Sequence, residues 1–326
     1  MTVLEASTCP VKVTVRDSGD PLTPVIEVGT GVLAVRFLPS AGGRMISLEA
    51  HGHEFLWRNP EVFSQNLTVR LPRSRWPVSD GTQASWVNPG GAKTWPAPQG
   101  WAGPGQWAGP PDPVLDTGFW NYQIHEGRQT RVTFSSPQDK VTGLEVTRSF
   151  LLEAGSTAIE QRTCFRNWTD RPVRWAVWEV VQVDTSCGGH VQVANRPEVP
   201  AVLSLDLRGP CTVGAQEGGY WIVPVQDAVG KILLPGALGQ LAYRAPAGPW
   251  LSLSYDVEND AVACYPDGGA RAEIWMQSPQ SNPIEEAGGL HPRAQLVELE
   301  ALSALETLAP GERLCLTLRW QVGVWQ

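Results

Sequence analysis

Short apolar runs with a two-residue alternation recur along most of the chain. Examples are VKVTVR (11–16), TRVTFS (130–135) and VRWAVWEVVQV (173–183). Gly, Pro, Asn and Asp separate these runs at short intervals, and no segment keeps a 3.6-residue apolar period for three turns. The nearest helix candidate, LSALETLAPGE (302–312), is interrupted by Pro310 and Gly311, which favours a turn. We therefore predict an all-β fold, built as a large antiparallel β-sandwich.

The chain shows no internal boundary. No Ser/Gly-rich or charged tract divides its 326 residues, and strand signals cross the midpoint without a change in composition. Single all-β domains can reach this length. Hydrophobic residues make up 42% of the sequence, which is enough for a large core. We predict one domain over residues 1–326, in which residues 1–24 form an N-terminal strand or extension.

Composition bears on partners and compartment. The formal net charge of −8 argues against non-specific nucleic-acid binding, which needs a basic surface. No apolar stretch approaches the length of a membrane span. The opening residues, MTVLEASTCPVKVTVRD, lack a basic region followed by an apolar one, so we expect no signal peptide and a cytoplasmic protein.

The six cysteines are widely scattered and form no CxxC pair, which argues against a structural zinc site. This scatter favours reduced, mostly buried thiols, although the sequence leaves a disulfide open. The cysteines are Cys9, Cys164, Cys187, Cys211, Cys264 and Cys315.

Two short motifs resemble ligand sites but lie between strand-like runs. Residues 29–34, GTGVLA, match a loose nucleotide fingerprint, yet no helix N-terminus follows to hold a phosphate. Residues 51–54, HGHE, contain two histidines and an acid around Gly52. A hairpin turn is the better interpretation of both. We predict no cofactor, and no spacing in the sequence calls for a metal.

Residues 88–120 form a segment rich in proline and tryptophan. Within it, Trp95, Trp101, Trp107 and Trp120 stand among Gly and Pro. This mixture cannot continue a helix, and proline lacks the N–H that a central strand needs. We therefore predict a long ordered loop that covers or forms a binding surface. Indole rings held on such a backbone suit stacking on another molecule.

Two acids stand two residues apart in QLVELEAL (295–302). A period of two places Glu298 and Glu300 on one face of a strand. Composition alone favours a solvated sheet face for them. Burial would instead raise the pKa of at least one of the two acids toward the working range of a general base.

Alternation in the run at 173–183 separates two groups of side chains. Arg174, Trp178 and Gln182 share one face, whereas Trp175 and Glu179 share the other. One face must therefore meet something polar, either solvent or a ligand groove.

Arg44 follows two glycines at the start of a strand. Two interpretations fit Arg44 equally well. Its side chain could form a surface ion pair, or its planar guanidinium could donate hydrogen bonds to a polyhydroxylated or anionic ligand.

Several segments resemble proteins of the galactose mutarotase-like superfamily. Residues 40–57, SAGGRMISLEAHGHEFLW, resemble the opening hairpin of that superfamily. Residues 88–99, NPGGAKTWPAPQ, are similar to the signature of its DUF4380 branch. The C-terminal strands are matched, in order, by AEIW (272–275), VELE (297–300), LAPGE (308–312) and LRW (318–320). The resemblance spans roughly residues 25–323.

This resemblance implies a β-supersandwich whose broad concave face binds a sugar. In aldose 1-epimerases a Glu base removes the anomeric hydroxyl proton while a His acid protonates the ring oxygen. Glu298 matches that base, with Glu300 as the register-shifted alternative. The histidine positions of those enzymes are not matched, because Pro89 precedes the Gly-Gly pair and residues 178–182 contain no histidine. Lys93 or a histidine elsewhere is the remaining candidate acid.

Our first hypothesis is a carbohydrate-binding protein, for which the substrate of any reaction would be an aldose or a sugar derivative. Glu298 would be the base if chemistry occurs, and a lectin-like role without catalysis is the alternative. The expected partner is a small carbohydrate, with neither nucleic acid nor membrane, and the oligomeric state is left open. The predicted substrate-binding residues are Arg44, Asn88, Lys93, Trp95, Gln99, Trp101, Trp178 and Gln182.

The second hypothesis comes from another class. The chain would be a structural or protein-interaction module that presents the tryptophans of residues 88–120 as an exposed apolar patch. Trp101 and Trp107 would then carry the contact.

Overall fold

A computed structural model describes residues 11–100, 107–258 and 264–324. Two large antiparallel sheets, of twelve and ten strands, make up almost all of this structure and confirm the all-β sandwich. In chain order the strands are β1 (Lys12–Arg16), β2 (Val25–Gly29), β3 (Leu33–Leu38), β4 (Arg44–Ala50), β5 (His53–Glu54), β6 (Ala92–Ala97), β7 (Asn121–His125), β8 (Gln129–Ser135), β9 (Leu144–Glu153), β10 (Ala158–Asn167), β11 (Val173–Asp184), β12 (His190–Asn195), β13 (Val202–Arg208), β14 (Ala215–Glu217), β15 (Tyr220–Pro224), β16 (Val229–Leu234), β17 (Ala237–Arg244), β18 (Pro249–Ser254), β19 (Ala272–Gln277), β20 (Leu296–Leu302), β21 (Glu306–Leu308) and β22 (Arg313–Val324).

Helical structure in the described residues is limited to single turns. They are α1 (Pro266–Gly269) and the 3₁₀ turns Arg73–Arg75, Gln83–Ser85 and Glu285–Ala287. Among those residues no helix has the length and apolar character needed to cross a membrane.

The first sheet has the order β1-β2-β3-β4-β6-β11-β20-β19-β16-β13, with β5 added to β4 and β21 added to β11. The second has the order β14-β15-β12-β17-β18-β22-β10-β9-β8-β7. One apolar cluster fills the space between them, in which Phe37 of the first sheet packs on Phe134 and Phe150 of the second. Strands of the second sheet alternate strictly; β9, for example, buries every second side chain.

The strand β6 lies inside the segment that the sequence predicts to be a loop, so that prediction is wrong for residues 92–97. The strand is central and contains Pro96, which pairs with Val177 of β11. On its other side, β6 pairs with β4 only at Ala92 and Met45. Pro96 therefore stands where one edge of the strand is unpaired, and its missing N–H removes no ladder hydrogen bond there.

The predicted turns are present. The motif at residues 29–34 is the hairpin between β2 and β3. His51 and Gly52 form the tight turn between β4 and β5, and both have positive φ. The run 302–312 contains no helix; it ends in a turn at Pro310 and Gly311, closed by a 3.0 Å bond from the Glu312 N–H to the Ala309 carbonyl.

The expectation of reduced, mostly buried thiols is wrong. Cys164 and Cys315 are register partners on β10 and β22 and form a disulfide. Of the remaining described cysteines, Cys187 and Cys264 are exposed and Cys211 is buried. Sequence spacing could not reveal the disulfide, because 151 residues separate two strands that the fold makes neighbours.

Candidate functional site

A cavity of about 470 Å³ lies on one face of the first sheet. Its floor is formed by strands β6, β11, β20, β19 and β16, and its rim by residues of the loops around Trp86, Pro110 and Leu290. The floor side chains point away from the second sheet, since the alternate residues Thr94 and Glu179 contact Arg148 or each other between the sheets.

Strand register assembles the floor in cross-strand rows, since residues paired on one face are neighbours. The first row is Lys231–Trp275–Glu298–Gln182. The second is Leu233–Glu273–Glu300–Val180–Lys93. Five strands that are far apart in sequence therefore place carboxylates, ammonium groups and an amide on one surface.

Glu298 occupies the centre of this surface. Its Oε1 accepts hydrogen bonds from Lys93 Nζ at 2.9 Å and from Gln182 Nε2 at 2.6 Å. Its Oε2 has no hydrogen-bond partner among the described residues, and the side chain is 11% exposed. Glu298 thus has one oxygen fixed by the protein and one available to the cavity.

Lys93 also lies 4.5 Å above the ring of Trp95. The structure therefore brings Lys93, Trp95 and Glu298 together, but the Lys93 side chain is only 3% exposed and does not itself line the cavity. Burial lowers the pKa of Lys93, and Arg44 adds to the lowering, while Glu298 opposes it. A lysine in this setting gives up its proton more readily than a solvated one.

A second charged group forms around Lys231. Its Nζ lies 2.5 Å from Glu273 Oε2 and 3.1 Å from Glu300 Oε2. Burial alone would lower the pKa of Lys231, but Glu273 and Glu300 raise it above its ordinary value. Glu300 Oε2 also accepts a 2.6 Å hydrogen bond from Trp178 Nε1.

Glu273 and Glu300 are register partners, and both are almost fully buried. Burial raises the pKa of each carboxyl, and Lys231 opposes the shift; Glu300 and Asp267 reinforce it at Glu273, and Glu298 reinforces it at Glu300. Their Oε1 atoms have no hydrogen-bond donor within the described residues. Lys231 bridges their Oε2 atoms, and two buried carboxyls whose other oxygens lack a donor are stabilised when they share a proton. The solvated sheet face that composition favours is therefore wrong for Glu298 and Glu300.

Four indoles line the cavity, from Trp86, Trp95, Trp178 and Trp275. The Trp95 ring packs 5.3 Å from Trp178 and 6.1 Å from Trp86, centroid to centroid. The Nε1 atoms of Trp86 and Trp95 donate to the two oxygens of Asp116, at 2.7 and 3.1 Å. The indoles are thus fixed in orientation, as stacking surfaces need to be.

Arg44 does not reach the cavity, so the prediction that it contacts a ligand is corrected. It is fully buried, and it donates to the carbonyls of Ala41, Gly90 and Asp116 and to the Asp116 carboxylate. The alternative of a surface ion pair is wrong as well. Arg44 holds Asp116, and through it the indoles of Trp86 and Trp95.

The tryptophans of residues 88–120 divide into different roles. Trp95 lines the cavity, whereas Trp107 and Trp120 are buried and donate to Asp112 and to the Val114 carbonyl. An exposed apolar patch made of these indoles is therefore absent from residues 88–100 and 107–120. The predicted ligand contact Trp101 lies outside the described residues.

The remaining predicted ligand contacts, Asn88, Gln99, Trp178 and Gln182, all line the cavity. Alternation along β11 is as expected, since Trp178 and Gln182 face the cavity and Glu179 faces the second sheet.

The Gly-Gly pair after Asn88 has a packing role. Gly91 has a φ of 78°, and a Cβ there would lie 2.2 Å from the Met45 carbonyl oxygen. A Cβ on Gly90 would lie 2.4 Å from the Trp57 carbonyl oxygen. Only glycine lets this turn approach β4 so closely before β6 begins.

Sequence reasoning missed Trp86, Lys231, Glu273 and Trp275. Two of them carried a usable signal, because Lys231 in VGKILL and Glu273 in AEIWM are single ionisable residues in otherwise apolar strands. A charge at such a position either faces solvent or has a buried partner.

All five histidines lie in the described part of the chain, and none of them lines the cavity. His53 and Glu54 form β5 directly after the turn at His51 and Gly52, and no group of three or more residues suited to holding a metal occurs among the described residues.

A second depression, of about 400 Å³, lies beside the β2–β3 and β4–β5 turns. It is lined by residues such as Gly31, Val32 and His51, and it contains none of the paired buried charges described above. The paired buried charges therefore belong to the first cavity and not to this depression.

Residues 24–323 match the sequence profile of DUF4380, a domain of unknown function. The chain belongs to the DUF4380 family. This match confirms the resemblance and its extent. No curated protein matches the chain in sequence.

Solved structures support the mutarotase-like fold. A galactose mutarotase-like protein from Clostridium acetobutylicum superposes with a TM-score of 0.57 at 9% identity, covering 97% of this chain and 99% of that one. Another, from Lactobacillus casei, gives 0.54 at 11% identity, covering 92% and 100%. A TPR-domain containing protein from Parabacteroides distasonis gives 0.60 at 15% identity over 92% of this chain, which spans only 47% of that protein's chain. Identities this low show the fold alone.

Proposed function

We propose that the protein binds a small carbohydrate in the cavity on the first sheet. The observation that carries the proposal is one pocket that combines fixed indole rings with inward-facing hydrogen-bonding groups. Indole faces suit the apolar face of a sugar ring, and carboxylate and amide oxygens suit its hydroxyls. A volume of about 470 Å³ is within the range of small-molecule sites.

The bound sugar would lie between two kinds of surface. Trp95, Trp178 and Trp275 would supply stacking area, and Glu298 Oε2 and Gln182 Oε1 would accept hydrogen bonds from hydroxyl groups. Asn88 and Gln99, at the rim, would contact the exposed edge of the ring.

Glu298 and Lys93 also provide the proton acceptor and donor that anomer exchange requires. Glu298 would take the proton of the anomeric hydroxyl while Lys93 protonates the ring oxygen, so that the C1–O5 bond breaks and an aldehyde forms. Rotation and closure of the ring then reverse both proton transfers. The lowered pKa of Lys93 supports its role as the acid. Glu300 is the weaker choice of base, because it is 1% exposed against 9% for Glu298 and is therefore less accessible to a bound sugar.

Ligand-observed NMR on freshly dissolved aldoses tests binding and catalysis in one experiment. We expect saturation transfer to the sugar, and exchange between the two anomeric signals faster than in buffer. Glu298→Gln should bind sugar but lose the accelerated exchange. Glu145→Gln, which alters an exposed ion pair on the second sheet, is the matched control and should behave as wild type.

The outcomes separate the alternatives. Binding without accelerated exchange would assign the lectin-like role and exclude anomer exchange for those sugars. The absence of saturation transfer to every aldose tested would overturn the proposal.

A further inference from the structure

The charges of the cavity do not balance, and this bears on the kind of sugar that the proposed function would involve. Apart from Glu286, which pairs with the exposed Arg208, four carboxylates meet two ammonium groups. Asp267, Glu298, Glu300 and Lys231 line the cavity, and Glu273 and Lys93 are buried directly against these lining charges.

Both ammonium groups are already held by glutamates. Lys93 pairs with Glu298, and Lys231 bridges Glu273 and Glu300. A phosphate or carboxylate on a ligand would therefore find no free cation among the described lining residues, and it would meet surplus negative charge. Like charges at such short range in a partly dry site are strongly unfavourable.

The unpartnered atoms of the floor point to the same ligand chemistry. Gln182 Oε1 and Glu300 Oε1 are buried in residues only 2% and 1% exposed, and both lack a hydrogen-bond donor in the described residues. Glu298 Oε2 also accepts no hydrogen bond from them. All three atoms are acceptors, so the missing partner must supply donors.

We propose that the cavity selects an amino sugar with a protonated amine, whose ammonium group pairs with the surplus carboxylate at Glu300. The hydroxyls of the same sugar donate to Gln182 Oε1 and Glu298 Oε2. The ring of Trp275 also lines the cavity and offers an aromatic face to the ammonium group. This inference rests on the proposed carbohydrate function and narrows it to a positively charged ligand.

Burial of the register partners Glu273 and Glu300 favours a proton on one of the two carboxyls in the free protein. Burial raises the pKa of Glu273 and of Glu300, and although Lys231 bridges their Oε2 atoms, their Oε1 atoms have no donor among the described residues. An incoming ammonium group supplies the positive charge that this proton provides, so binding would release the proton. A neutral sugar brings no such charge and leaves the proton in place.

Isothermal titration calorimetry with three matched hexoses tests the selection. The probes are D-glucosamine, D-glucose and D-glucose 6-phosphate at pH 6.5, with N-acetyl-D-glucosamine as the uncharged analogue of the amine. We expect glucosamine to bind at least tenfold more tightly than glucose or the acetylated sugar, and glucose 6-phosphate to bind more weakly than glucose. In Glu300→Gln, glucosamine affinity should fall to that of glucose, while Glu145→Gln should keep the wild-type preference.

Each other result has a definite meaning. Equal affinity for glucosamine and glucose, or tighter binding of the phosphate, would overturn the selection and leave the carbohydrate function standing. Equal loss of both affinities in a Glu300→Gln protein with unchanged near-ultraviolet circular dichroism would also overturn the selection. Failure of all four sugars to bind wild type would overturn the carbohydrate function itself.

Discussion

Glu179 and Glu300 lie on the neighbouring strands β11 and β20, and each is only 1% exposed, yet they face opposite sides of the sheet. Glu179 faces the second sheet, where Thr94 Oγ1 lies 2.8 Å from both of its oxygens and Arg148 Nη2 lies 3.4 Å away. Glu300 faces the cavity, and its Oε1 has no donor in the described residues. Two equally buried acids thus differ in whether the protein completes their hydrogen bonds.

This difference separates a structural charge from a candidate functional one. A buried charge that serves the fold needs its partners in the free protein, because removing one leaves the other desolvated and unpaired. A group that awaits a ligand is left incomplete at some cost in stability. Burial is the same in both cases, so the hydrogen-bond and ion-pair partners of the carboxylate are what distinguish them.

The largest effect is expected at the structural charge. Glu179→Gln leaves Arg148 buried without a counter-ion, and we expect the free energy of unfolding to fall by about 3–5 kcal/mol. Urea denaturation at pH 7 measures this free energy of unfolding. Glu145→Gln, in an exposed pair with Arg166, is the control and should cost about 1 kcal/mol or less. A loss for Glu179→Gln no larger than the control would end the distinction between the two faces.

Removing a neutral donor to Glu300 should have an intermediate effect. Trp178→Phe deletes the Nε1–H that donates to Glu300 Oε2, and we expect a loss of about 2 kcal/mol in the free energy of unfolding. The loss should be larger at pH 8 than at pH 5, because the ionised carboxylate needs the donor more. Trp275→Phe is the matched control, since its Nε1 donates to Gln277 Oε1 over a longer 3.4 Å in a less buried position. Equal losses in the two variants would argue against a special role for the Trp178 bond.

The pH dependence of stability tests the cavity acids directly. Burial raises the pKa of Glu273 well above its ordinary value of 4.5, whereas the unfolded chain keeps that ordinary value. Folding therefore becomes less favourable as pH rises from 4.5 through the folded-state pKa, by up to about 1.4 kcal/mol per pH unit. Glu273→Gln lacks this dependence. Its stability relative to wild type should increase across that window in urea titrations at pH 5, 6, 7 and 8; a difference that shrinks with pH would contradict the assignment.

The smallest stability effect is expected at Glu300 itself. Glu300→Gln keeps an oxygen for Trp178 and Lys231 and provides an N–H toward Glu273, which replaces the shared proton. We expect the free energy of unfolding at pH 7 to stay within about 1 kcal/mol of wild type. Thermal and urea unfolding of this variant beside Glu179→Gln complete the comparison. A loss above 3 kcal/mol would place Glu300 with the structural charges.

Much of the fold could be predicted from the sequence because its signals are local. Alternation gave the strands and the split of β11 into a Trp178–Gln182 face and a Glu179 face. Gly52 and Pro310-Gly311 marked real turns. The same alternation placed Glu298 and Glu300 on one face, since the side-chain period of a strand is two.

The site could be predicted only in part. The family resemblance singled out Lys93, Trp95 and Glu298, which the structure brings together. The resemblance did not indicate that Arg44 donates all of its hydrogen bonds to groups inside the protein. Nor did it assign a role to Glu273, although the matched segment AEIW (272–275) contains that residue, and it did not include Lys231.

The sequence by itself determined which residues alternate, where the chain turns and which strands carry an isolated charge, because these depend on neighbours a few positions away. Only the tertiary structure decided that β6 runs through the proline-rich segment, that Cys164 meets Cys315, and that three buried acids share two lysines. These facts depend on strand order and register, which bring together residues tens to hundreds of positions apart. Strand order and register therefore decide whether a buried charge has hydrogen-bond and ion-pair partners.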